Sequence, residues 1–127
     1  MRNLFDLSGK RALITGSARG IGYLLAEGLA EYGAEIIIND RTQQKADAAA
    51  QALREQGYRA TGVAFDVTRS VEVEQAIARI EAQIGAIDIL INNAGIQRRY
   101  PFTEFPEDEW DQVIEVNQKG VFLVSQQ

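Results

Sequence analysis

The sequence predicts an α/β fold, a doubly wound parallel sheet in three αβα layers, and three observations carry that prediction. Over 127 residues, short apolar runs alternate with longer stretches of helical period in the order β-α-β-α-β-α-β-α. The EIIIND and IDILINNAG runs are uninterrupted rather than alternating, the pattern of strands covered on both faces. Glycines stand where these segments meet, at Gly16, Gly33, Gly57 and Gly85.

RALITG is a short apolar run ending in glycine and reads as the first strand. Ile21, Leu25, Gly28, Leu29 and Tyr32 then recur at helical spacing until Gly33 stops the helix. EIIIND is the second strand. The helix after it runs from Thr42 to about Gln56 and packs through Ala46, Ala49 and Leu53. ATGVAFDV reads as the third strand, and Val73, Ile77, Ile80 and Ile84 mark the helix that follows. IDILINNAG is the fourth strand. Pro101 and Pro106 frame a loop with Tyr100, Phe102 and Phe105, and a helical pattern resumes around Glu107. In such sheets ligands bind beyond the carboxyl ends of the strands, so the polar residues there are the ones of interest.

Composition narrows the function classes. A hydrophobic content of 46% suits a globular core. The net charge of −5, with 13 basic residues scattered among 18 acidic ones, argues against nucleic acid as a partner. With no cysteine and no histidine, the chain has no disulfide, no imidazole base and no His- or Cys-ligated metal. MRNLFDLSGK holds no apolar run of signal-peptide length, and no segment is long and apolar enough for a membrane span. The expectation is a soluble, cytoplasmic protein.

The stretch TGSARGIG bends from the first strand into the first helix with glycines spaced G-x-x-x-G-x-G. Gly16 suits the sharp turn, Gly20 a close approach to an anion, and Gly22 a tight helix-sheet contact. No Lys-Ser/Thr pair follows, so this is not a Walker loop, and the earlier SGKR reads as a surface turn. Asp40 ends the second strand 20 residues beyond Gly20, where a carboxylate can accept hydrogen bonds from a ribose diol.

TGSARGIG, FDV at Asp66, NNAG at residues 92–95 and Asn117 within VIEVNQKGVF together resemble the short-chain dehydrogenase/reductase family, in order and over nearly the whole chain. The resemblance implies a Rossmann-type domain binding NAD or NADP along the strand ends. Gly16, Ser17, Ala18, Arg19, Gly20, Ile21 and Gly22 would form the phosphate and adenosine side. Asp66 and Val67 would flank the adenine, and Asn93, Ala94 and Gly95 would lie along the cofactor. Asp66 is open to a second reading as the cap of the next helix. Between the cofactors, Asp40 favours NAD, whereas Arg41 and Arg19 could pair with the 2′-phosphate of NADP. Two guanidinium groups against one carboxylate tip the balance to NADP, provided Asp40 turns away.

Trp110, Val113, Ile114, Asn117, Val121 and Val124 fall on one helical face, which puts Asn117 on an apolar, inward stripe. Such an amide either braces a network or serves a site. The resemblance implies the family's catalytic-site asparagine. NNAGIQRRYPFTEFPEDEWDQVIEVNQKGVFLVSQQ, like the opening LFDLSGKRALITGSARGIGYLLAEGLAEYGAEIIINDR, is similar to family members that interconvert a sugar acid and its keto form. Arg98 and Arg99 follow the fourth strand, where a sugar acid's carboxylate would want a guanidinium, although a solvated loop pair is the plain alternative.

The family's chemistry rests on a Ser and on a Tyr four residues before a Lys. Tyr23, Tyr32, Tyr58 and Tyr100 are followed four residues later by Glu27, Ile36, Gly62 and Glu104. About four strands are readable, where a full doubly wound sheet has about six. The expectation is therefore that residues 1–127 are the amino-terminal part of one NAD(P)-binding domain. That part would be inactive alone, would leave the fourth strand as an apolar edge, and would belong to a homodimer or homotetramer when complete.

Overall fold

Four parallel strands form one sheet, in the order β3-β2-β1-β4, in the computed structural model, which describes residues 3–127. Met1 and Arg2, at the head of the opening stretch, lie outside the described residues. β1 (Arg11–Ile14) is central. Its Leu13 stands opposite Ile37 of β2 (Glu35–Asp40) on one side and Leu90 of β4 (Ile89–Ile91) on the other. β3 (Ala60–Ala64) pairs with β2 and is shorter than the ATGVAFDV run predicts. Its ladder ends where β2 ends. The Phe65 N–H donates to the Asp40 carbonyl at 3.1 Å, and beyond that point no neighbouring strand remains to pair with.

Successive strand residues face opposite layers, and the core divides accordingly. Ala12, Ile14, Ile36 and Ile38 pack under α1 (Gly20–Glu31) and α2 (Gln43–Glu55). Leu13, Ile37, Val63 and Phe65 pack under α3 (Ser70–Gln83). The same layer receives Val124 from α5 (Gly120–Gln126), completing the predicted αβα arrangement.

α1 corrects the sequence reading. The residues it buries are Gly22, Ala26 and Ala30, whereas Ile21, Leu25 and Tyr32 are 72%, 38% and 52% exposed. The helix lies against the sheet through its smallest residues, and a stripe of large side chains would hold it away. Large apolar residues thus mark the helix without marking its buried face.

α2 matches its expected bounds, with Thr42 and Gln56 as its flanking caps and Ala46, Ala49, Ala50 and Leu53 buried. Two of its polar side chains reach the edge of β3. The Gln43 amide donates to the Gly62 carbonyl at 2.8 Å and accepts from the Ala64 N–H at 3.0 Å. Arg54 donates to the Ala60 carbonyl at 2.7 Å.

The last helical stretch is interrupted. α4 (Glu107–Ile114) passes through a π-helical turn (Glu115–Lys119) into α5. Of the stripe from Trp110 to Val124, only Val124 is buried, and Asn117 is exposed rather than turned inward. A π turn uses an extra residue and breaks the 3.6-residue period on which the stripe rests. No helix among the described residues is long and apolar enough to cross a membrane.

Candidate functional site

The carboxyl ends of all four strands open on one cavity of about 740 Å³. Gly16 follows β1, Asn39 and Asp40 close β2, Phe65 and Asp66 follow β3, and Asn93 and Ala94 follow β4. Gln112, Glu115 and Val116 add a wall from the last helical stretch.

The glycine bend is held from behind and open in front. Gly16 and Gly20 both have φ +61°, a left-handed conformation that suits glycine. A Cβ on Gly16 would come within 2.9 Å of Ala94 Cα, and one on Gly22 within 2.5 Å of Asn93 Nδ2. A Cβ on Gly20 would meet no atom within 4 Å. The first turn of α1 has no side-chain cap, since Arg19 at the N-cap position makes no capping hydrogen bond. Uncapped N–H groups and the positive end of the helix dipole therefore stand beside open space on the cavity wall. This is a fit for an anion approaching backbone.

Braces come from β2 and β4. Asn93 Nδ2 donates to the carbonyls of Thr15 and Gly16 at 3.1 and 3.0 Å. The Thr15 hydroxyl accepts from the N–H groups of Asn93 and Ala94, both at 3.0 Å. Ser17 is buried with its hydroxyl committed to the Ile14 carbonyl at 2.6 Å, so it supports the bend from beneath rather than facing the cavity. Ala18 is half-buried against the core and also stands off the cavity wall.

The two acidic residues share one local device. Asp40 Oδ1 accepts from the N–H and hydroxyl of Thr42 at 3.1 and 3.3 Å. Asp66 Oδ1 accepts from the N–H and hydroxyl of Thr68 at 2.9 and 2.7 Å. Each D-x-T segment is thus an Asx turn that leads toward a helix while its aspartate lines the cavity. α3 has Arg69 at its N-cap position and no side-chain cap, so Asp66 does not cap that helix and the reading as its cap is corrected. Asp40 is tethered where it stands. Val67 is buried on the same wall, and a Cβ on Gly120 would come within 2.8 Å of its Cγ2, so α5 backs this side.

Among the described residues, no carboxylate lies within salt-bridge distance of Arg19 or Arg41, both exposed on the cavity rim. Arg98, also on the lining, is paired with Glu109 of α4 at 2.6 Å. Arg99 is exposed and outside the lining. Asn117 is outside it too, but its side chain pairs both ways with the backbone of Ile96, which lines the cavity. The Ile96 N–H donates to Oδ1 at 2.8 Å, and Nδ2 donates to the Ile96 carbonyl at 2.9 Å.

Sequence reasoning missed Thr15 and Asn39, which together with Ser17 are the buried polar residues that hold the bend in place. The signal for Asn39 was present: it is an amide inside the apolar EIIIND run, and a buried amide must find partners. Gln112 and Glu115 were also missed, since helical period alone does not say which face meets a cavity.

A parallel α/β sheet with one cavity at its strand ends and a braced glycine bend defines the class of protein. The chain belongs to the short chain dehydrogenase family, whose profile matches residues 10–127. It is 59% identical over 126 residues to the 5-keto-D-gluconate 5-reductase of Escherichia coli strain K12, covering 99% of this chain and 50% of that protein. It is 49% identical over 124 residues to the gluconate 5-dehydrogenase of Gluconobacter oxydans, covering 98% and 48% respectively. A crystal structure of a gluconate 5-dehydrogenase from Burkholderia cenocepacia, in complex with NADP and tartrate, superposes with a TM-score of 0.93 at 54% identity. That match covers 96% of this chain and 48% of the other. The chain spans about half the length of the curated relatives it matches.

Proposed function

We propose that residues 1–127 are the amino-terminal, dinucleotide-binding part of an oxidoreductase that interconverts D-gluconate and 5-dehydro-D-gluconate with NADP(H). The cofactor assignment is carried by the bend, where Gly20 leaves open space beside an uncapped helix start. The substrate assignment is supported by the likeness to sugar-acid enzymes over nearly the whole chain.

In this reading the N–H groups from Gly20 to Gly22 meet the pyrophosphate, and Gly16, Ser17 and Ala18 shape the bend behind it. Asp66 and Val67 flank the adenine, and Asn93, Ala94 and Gly95 follow the nicotinamide half. When bound, the nicotinamide supplies or accepts the hydride. Arg19 and Arg41, without carboxylate partners among the described residues, attract a 2′-phosphate, which supports NADP over NAD, as does the NADP-bound relative. Asp40 pulls the other way, because turning aside would break its two hydrogen bonds from Thr42. Arg98, on the lining, takes the sugar acid's carboxylate in exchange for Glu109, whereas Arg99, outside the lining, stays a solvated loop residue. Asn117 orders the Ile96 loop at that end as the family's catalytic-site asparagine. The complete protein works in the cytoplasm as a homodimer or homotetramer, and the 127 residues alone do not turn over substrate.

The test is turnover of 5-dehydro-D-gluconate by the complete protein with NADPH and with NADH. Activity on a different keto acid alone would move the assignment to another short-chain reductase. Tight dinucleotide binding without turnover of any keto acid would favour a non-catalytic nucleotide-binding module.

A further inference from the structure

Asn39 has 2% of its surface exposed and stands among isoleucines, yet it makes more polar contacts than any neighbour in β2 requires. Its Oδ1 accepts from the Gly16 N–H at 3.0 Å. Its Nδ2 lies within hydrogen-bond distance of the carbonyls of Val63, Phe65 and Asp40, at 3.2, 3.1 and 3.3 Å. The backbone adds a reciprocal pair with Ser17: the Asn39 N–H donates to Ser17 Oγ at 3.1 Å, and the Asn39 carbonyl accepts from the Ser17 N–H at 2.9 Å.

One rigid amide therefore joins the bend after β1 to the exit of β3, across β2. Both joined segments line the cavity, Gly16 on one side and Phe65 with Asp66 on the other. An apolar side chain of similar size would fill the same space, but it would leave the Gly16 N–H without this acceptor and the two walls without a common tie. Drawing that N–H toward β2 also fixes the peptide plane that starts the left-handed turn at Gly16.

We propose that Asn39 is a positioning residue for the dinucleotide, setting the separation of the phosphate bend from the adenine wall. The assignment rests on the cofactor reading of the cavity. A ligand that spans both walls benefits from their being held in register, because an unheld pair must be ordered during binding. A fragment that touches one wall benefits less. Removing the tie therefore weakens whole-dinucleotide binding more than fragment binding, which a purely structural residue would not do.

The experiment compares Asn39→Leu and Asn39→Asp with the unaltered complete protein. Asn39→Asp keeps the acceptor toward Gly16 and loses the donor toward Val63 and Phe65. Leu53→Ala, a fully buried core truncation on α2 away from the cavity, reports a stability loss of ordinary kind. Dissociation constants are measured for NADPH and for adenosine, which lacks a phosphate and reaches the adenine wall alone, alongside the melting temperature. The expected result is an NADPH dissociation constant raised about tenfold or more in Asn39→Leu, with a smaller rise in Asn39→Asp. The adenosine constant changes less in both, and Leu53→Ala melts earlier with both constants unmoved. Equal weakening of NADPH and fragment, or no weakening, overturns the assignment while leaving the cofactor reading intact. Failure of both variants to fold makes Asn39 a fold determinant and also overturns it. If the unaltered protein binds neither NADPH nor NADH, the cofactor reading falls and the assignment falls with it.

Discussion

Strands β2 and β4 carry nearly the same residues, Ile36-Ile37-Ile38-Asn39 against Ile89-Leu90-Ile91-Asn92, and occupy opposite circumstances. β2 has a strand on each side and helices on each face, and its three isoleucines are 0% exposed. Among the described residues β4 pairs with β1 alone, and Ile89, Leu90 and Ile91 are each half-buried. The asparagines follow suit. Asn39 ties three segments together inside the protein, whereas Asn92 donates one hydrogen bond, to the Ser125 hydroxyl at 3.0 Å. The helices repeat the contrast, with α2 burying three alanines and a leucine and α4 burying none of its residues. Burial here is conferred by neighbours. An apolar run states only that a segment can be covered.

The largest test of this contrast is a paired truncation in the 127-residue chain. Ile37→Ala should cost about 2–5 kcal/mol, read from urea unfolding, because it leaves a cavity between β2 and α3. Leu90→Ala should cost less than half as much. Equal losses would break the comparison, since they would mean that β4 is covered in solution.

The next effect lies where the two regions meet. Gly22→Val drives a side chain into Asn93 from β4 and the Gly16 carbonyl, an overpacking of about 1–3 kcal/mol. A melting temperature equal to that of the unaltered chain would mean that the contact between α1 and the β4 exit is loose. Asn117→Ala should cost about 1 kcal/mol and chiefly raise hydrogen exchange at the Ile96 N–H, with protection on β2 unchanged. Exchange spreading into β2 would show the two regions to be one cooperative unit. Smallest is Glu109→Gln, which weakens an exposed pair with Arg98 by at most about 1 kcal/mol, an effect that high salt should erase. A salt-independent loss would give that pair a greater share in ordering the β4 side.

The same contrast explains what was legible in advance. Strand count, strand order along the chain and the convergence of polar ends on one cavity follow from apolar runs that stop at Gly16, Asp40, Asp66 and Asn93. Side-chain period failed where size and contact part company. In α1 the sheet is met by Gly22, Ala26 and Ala30, which carry little hydrophobic weight. At Asn117 the period itself changes in the π turn, which has no signature in residue type. Ser17 and Asn39 were hard to separate by sequence because both lie near the site. Both are buried and bonded to each other, and only the folded positions put Asn39 on the cavity wall and Ser17 beneath the bend.

The side chains that α2 lays along β3 give the sheet a direction of growth. Gln43 and Arg54 occupy the carbonyls of Ala60 and Gly62 and the N–H of Ala64, on the margin of β3 that no strand covers. A further strand approaching there would have to displace three hydrogen bonds before forming its first. The outer margin of β4 has no such clasp from α2. Any extension of this sheet, by the same polypeptide or by another, is steered to the β4 end, and stacking of copies through β3 is blocked from within the fold.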